Sequence, residues 1–136
     1  MSAMPDGAAP YVLIVEDQPL DAMLLRRAMR RLVPTALIEA LHDGSAAMRR
    51  LRDAAAAAPD LIVLDLNLPG PSGHDLLAEV RASGRLSDTP CVVLTSSKTD
   101  QDRRRSLELG ATKHVVKPSS LDDYTSLAVE LTALLG

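Results

Sequence analysis

The sequence predicts a doubly wound α/β domain, with five strands in one parallel sheet and helices covering both faces. Five short apolar runs, at residues 11–15, 36–41, 61–64, 91–95 and 114–116, alternate with longer segments of helical spacing. Four of these runs are rich in Val and Ile and too short for helices. Strands that read as continuous apolar runs belong to parallel sheets buried on both sides, joined by right-handed helical crossovers. A length of 136 residues suits one such domain.

Residues 1–10 are mostly small residues and proline without periodicity, and are expected to be a flexible tail. The domain is expected to span residues 11–134, with no output domain after it. The first strand, 11–15, leads into a helix striped by Leu20, Leu24, Leu25, Ala28, Met29 and Leu32. The second strand, 35–41, is the least strand-like, because its Ala, Leu and Glu also suit a helix. Ala46, Ala47, Arg50, Leu51 and residues 54–58 mark the second helix. Residues 61–64 are the most apolar stretch and so the expected central strand. Leu76, Leu77 and Val80 mark the third helix, and Leu107 and Leu109 the fourth. The fifth carries Leu121, Tyr124, Leu127, Ala128, Leu131 and Leu135. Ser72 with Asp75, Thr99 with Asp102 and Ser120 with Asp123 each place a hydroxyl three residues before an acid, as N-terminal caps do. Gly84 and Gly110 sit where the third and fourth helices should end.

Composition removes several function classes. No apolar run is long enough to span a membrane and no signal peptide opens the chain, so a cytoplasmic protein is expected. Cys91 is the only cysteine, which excludes an internal disulfide and a cysteine-built metal site. A formal charge of −3 with two tyrosines, no Phe and no Trp argues against a nucleic-acid surface.

In such a sheet ligands bind beyond the carboxyl ends of the strands. Those ends carry Glu16-Asp17, Asp65, Thr95-Ser96 and Lys117-Pro118. Clustered carboxylates repel one another unless a cation compensates them. Hard oxygen donors without His or Cys suit Mg²⁺, or else Mn²⁺ or Ca²⁺. Asp43, Asp60, Asp88 and Asp100 read as caps or solvated turns. Asp65 differs, because it ends the most apolar run and precedes a loop, Leu66-Asn67-Leu68-Pro69-Gly70, rather than a helix.

The segments V-E-D (15–17), L-D-L-N-L-P-G (64–70), L-T-S-S (94–97) and V-K-P (116–118) together resemble the receiver domains of two-component response regulators. The spacings fit too: 48 residues from Asp17 to Asp65, 30 more to Thr95 and 22 more to Lys117. The resemblance covers nearly the whole chain and implies the flavodoxin-like (βα)5 receiver fold. A narrower likeness, carried by L-N-L-P, T-S-S-K and K-P-S-S-L, is to small stand-alone receivers that serve phytochrome-type histidine kinases.

The resemblance implies that Asp65 accepts a phosphoryl group from a histidine kinase, without turnover catalysis. It implies Mg²⁺ held by Asp17, Asp65 and the backbone carbonyl of Asn67, with Glu16 acting through water. Lys117 would pair with Asp65 and then with the phosphoryl oxygen, the Lys117–Pro118 bond would be cis, and Thr95 would swing inward. Where the family often has Tyr or Phe, three residues before the lysine, this chain has His114, which either switches like the aromatic or caps a strand end. His42 and His74 are expected in solvent, Cys91 in the core, and Arg103-Arg104-Arg105 on a solvated face. The output expected is a homodimer through the face of helix four, strand five and helix five, with Tyr124, Leu127, Leu131 and Leu134 at its interface. A flavodoxin-type cofactor site is disfavoured, because Glu16-Asp17 would repel a phosphate. An aspartyl-phosphate hydrolase is disfavoured because Asn67 stands where its second Asp would be.

Overall fold

The computed structural model describes residues 9–135, so most of the expected tail lies outside the described residues. The elements run β1 (Tyr11–Val15), α1 (Pro19–Leu32), β2 (Leu37–Leu41), α2 (Gly44–Arg52), β3 (Leu61–Leu64), α3 (Gly73–Ala82), β4 (Cys91–Thr95), α4 (Asp100–Glu108), β5 (Lys113–Val116), α5 (Leu121–Thr132) and a closing 3₁₀ turn, Ala133–Leu135. All strands are parallel, as the alternation predicted, and they lie in the order β2-β1-β3-β4-β5.

Strand residues alternate between two cores. Val12, Ile14, Leu61, Val63, Val92 and Leu94 face α1 and α5, meeting Leu25, Met29, Tyr124, Leu127 and Leu131. Leu13, Val15, Ile62, Leu64, Cys91 and Val93 face the other way, meeting Ala47, Leu51, Leu76, Leu77 and Val80 of α2 and α3. A one-residue slip of any strand would exchange its two faces, so burial on both sides fixes the register.

The caps form as the sequence indicated. Ser72 and Asp75 make a reciprocal capping box on α3, while Thr99 and Ser120 accept from the Asp102 and Asp123 amides. Asp43 caps α2 through the Ala46 amide. Gly110 has φ +99°, so the residue closing α4 occupies the left-handed region where glycine is unstrained. Gly84 follows the Ser83 cap of α3 just as Gly110 follows the end of α4, but it has no positive φ, so α3 does not close through a left-handed glycine.

Three expectations need correction. α2 stops at Arg52 and leaves residues 54–58 outside it, because Asp53 is extended and its carboxylate accepts the Ala55 amide, competing with the helix. Leu20 and Leu32, expected on the buried stripe of α1, are exposed at its two ends. The third concerns α5: Tyr124, Leu127 and Leu131, expected on an exposed dimer face, are at most 4% exposed. Leu134 is half-buried against the same core. The arc of α5 is wide because the helix packs against both α1 and the sheet.

Candidate functional site

Beyond Val15 and Leu64, register partners in the centre of the sheet, the chain continues into Glu16 and Asp65. The sheet order reverses here, since β1 leads outward to β2 and the chain then returns to β3 on its other side. Such a reversal opens a crevice at the strand ends. Backbone bonds hold its rim: the Asp65 amide donates to Val15 O at 2.9 Å, Glu16 to Leu41 O at 2.9 Å and Lys117 to Thr95 O at 2.8 Å. Gly73 closes one side, because a Cβ there would overlap the Asp65 carbonyl.

Glu16 and Asp65 are each 4% exposed, Asp17 is half-buried, and carboxylate oxygens of all three lie within 4.8 Å of one another. Lys117 Nζ points among them, 2.8 Å from Glu16, 2.9 Å from Asp65 and 3.0 Å from Asp21. An ammonium has three N–H donors, and here three carboxylates take them. Burial works against the Lys117 charge, but those hydrogen bonds outweigh it and hold its proton more tightly than usual. Burial pushes the Glu16 carboxyl up to about 7, against the opposing pull of Lys117 and the Gln18 amide. One ammonium does not neutralise the four carboxylates gathered around it. This surplus of hard oxygen donors fits a divalent cation such as Mg²⁺.

Thr95 is fully buried, and its Oγ1 accepts the Ser97 amide at 3.2 Å. The Asn67 amide donates to Asp65 Oδ1 at 3.2 Å, bringing that loop against the carboxylate. Every site residue singled out from the strand ends therefore lies at one edge. Asp21 was missed. It sits in the first turn of α1 and bridges Lys117 to the Tyr124 hydroxyl, which donates to it at 3.2 Å. Burial and the neighbouring Asp21 charge push Tyr124 up to about 12.

Residues 12–128 match the response regulator receiver domain. The chain belongs to that family. The receiver is 39% identical over 123 residues to the probable methanogenesis regulatory protein FilR2 of Methanothrix harundinacea, covering 88% of this chain and 79% of that one. It is 34% identical over 126 residues to the response regulator Rcp1 of Synechocystis sp., covering 88% and 86% of the two chains. Among solved structures, the phosphorylated cyanobacterial phytochrome response regulator RcpA superposes with a TM-score of 0.87 at 30% identity over 94% of each chain. The Mn²⁺-bound form of Rcp1 superposes at 0.83, with 31% identity over 91% and 92% of the two chains.

The receiver departs from the expected details in three places. No cis peptide bond occurs among its described residues, so Lys117–Pro118 is trans, the isomer that X–Pro bonds favour by about 0.5–1 kcal/mol. His74, expected in solvent, is half-buried with Nε2 2.9 Å from Ser106 Oγ. His114 turns Nδ1 to the same oxygen, also at 2.9 Å, and so does not simply cap an exposed strand end. His42 is exposed but its Nδ1 donates to Glu16 O at 3.0 Å. Cys91 is fully buried, and desolvation pushes its thiol up to about 12. Arg103, Arg104 and Arg105 are exposed. No helix among the described residues is long and apolar enough to cross a membrane.

Proposed function

We propose that this receiver is a phosphoacceptor of a two-component relay, in which Asp65 takes a phosphoryl group from a phosphohistidine of a sensor kinase. The observation that carries this reading is the buried Asp65 carboxylate with Lys117 Nζ at 2.9 Å, at the open crevice of the sheet. An Asp65 oxygen attacks phosphorus, the P–N bond breaks, and its electron pair returns to the imidazole, leaving an acyl phosphate. Phosphoryl transfer asks little covalent work of a protein beyond positioning and charge neutralisation. The receiver thus promotes its own modification without turning over as an enzyme.

Glu16, Asp17 and Asp65 would hold Mg²⁺, with the Asn67 backbone carbonyl as a further oxygen. When bound, the ion neutralises charge on the transferring phosphoryl oxygens. Lys117 can follow the negative charge from the carboxylate to the phosphoryl oxygens, as a compact ammonium on a flexible stem. Thr95 would leave the Ser97 amide and bond a phosphoryl oxygen, drawing the β4–α4 loop inward. Support comes from RcpA, described as phosphorylated, and from Rcp1, described with Mn²⁺ bound. The phytochrome description of RcpA also favours a bacteriophytochrome-type kinase as partner. Signal would leave through the α4–β5–α5 face, in a homodimer that tightens on phosphorylation. On that face Val116 is an exposed large apolar residue of β5.

Incubation with acetyl phosphate, with and without Mg²⁺, tests this function by intact mass. One added phosphoryl group is expected, only with the metal. Equal labelling after chelation would contradict the role given to Glu16 and Asp17.

A further inference from the structure

α4 is anchored in an unusual way. Ser106 is its single buried residue, its Leu107 is exposed, and none of its residues belongs to either core cluster. A helix that is polar on nearly every side needs an attachment other than an apolar stripe.

Its one buried attachment within the helix is a hydroxyl, with Leu109 packing on the core just past the helix end. Ser106 Oγ lies 2.9 Å from the Asp102 carbonyl, 2.9 Å from His74 Nε2 and 2.9 Å from His114 Nδ1. A serine hydroxyl has one proton and two lone pairs. The carbonyl can only accept, so the proton goes there and both ring nitrogens must donate. His74 is therefore protonated at Nε2 and His114 at Nδ1. His74 is the second residue of α3, and His114 lies in β5 beside Val93 of β4. Three elements meet at a single oxygen.

We propose that the His74–Ser106–His114 clasp is a proton-sensitive latch holding α4 against α3 and β5. Each imidazole keeps its bond to Oγ when protonated, so the latch is not broken by loss of a donor. It is weakened because two imidazolium rings would then share one acceptor in a half-buried place. Arg103 and Arg105 of α4 add to that positive charge, Asp102 of α4 and Asp75 of α3 oppose it, and Arg104 and Glu108 line the same cleft. Burial is the largest influence on both rings and holds each below its usual 6.5. With α4 released the rings regain ordinary basicity, so the open state binds more protons and gains population as pH falls through 6.5. This inference rests on the clasp geometry and is independent of the phosphorylation site.

The test is amide hydrogen exchange of the parent at pH 7.5 and 5.5, corrected for intrinsic exchange and referenced to α1, with imidazole tautomers read from ¹H–¹⁵N spectra at pH 7.5. The expected result is His74 as the Nε2–H form, His114 as the Nδ1–H form, and about tenfold less α4 protection at the lower pH. The combined variant H74Q/H114Q should show α4 protection independent of pH. Either ring found as the opposite tautomer, equal α4 protection at both pH values, or an undiminished pH response in the double variant would overturn the latch. The tautomer and parent exchange data need no substitution, so a variant that fails to fold leaves the test decisive.

Discussion

Lys117 and Asp21 stand 96 positions apart in the chain and 3.0 Å apart in space. Asp21 takes the third proton of the ammonium and, with its other oxygen, accepts from Tyr124 on α5. One carboxylate in the first turn of α1 thus ties the crevice to the α1–α5 layer.

Removing that tie should cost stability even though Asp21 is no strand-end residue. Asp21→Ala leaves the buried Tyr124 hydroxyl without its acceptor, and such losses cost about 1–3 kcal/mol. Tyr124→Phe removes only the matching donor and should cost less. Urea unfolding of the two variants and the parent checks the order.

Tyrosine ionisation offers a second check. Tyr124 is raised from 10.0 to about 12, so the folded state keeps its proton where the unfolded state loses it. That stability is fully present below pH 10 and is lost as pH rises toward 12. Absorbance at the phenolate band should show Tyr124 titrating late, and Asp21→Asn should bring it earlier.

Cys91 should be inert in the native state. Its thiol is fully buried and raised to about 12, whereas the thiolate is the reacting form. Labelling by iodoacetamide at pH 8 should follow global unfolding, with rates that rise in urea along the unfolding curve.

The α5 correction also yields a prediction. Leu127→Ala empties a core position, a change that typically costs about 2–5 kcal/mol. Leu121→Ala and Val129→Ala act on exposed side chains and should stay within about 0.5 kcal/mol. Sedimentation of a Val116→Glu variant tests the dimer without disturbing the core. An unchanged phosphorylation-dependent shift in mass would exclude this face.

The sheet was legible in the sequence because its strands are buried on both faces and read as unbroken apolar runs. The crevice was legible for a related reason: charged and hydroxyl residues follow directly after those runs. Asp21 was not, because an acid in a first helical turn reads as a favourable dipole partner, and only the fold brings Lys117 to it. Leu107 and Leu109 marked α4, but Leu107 is exposed and only Leu109, at the helix end, packs on the core. The buried side chain within the helix is a serine, which no hydropathy pattern marks. The width of the α5 stripe was taken for exposure when it measures depth of burial.

The central claim is that Asp65 is the phosphoacceptor. Its most direct test is intact mass and peptide mapping after acetyl phosphate treatment with Mg²⁺, on the parent and on Asp65→Asn. The account predicts one phosphoryl group on the peptide containing Asp65, and none on the variant. Robust labelling of Asp65→Asn, or a phosphoryl group mapped to another residue of the parent, would contradict it.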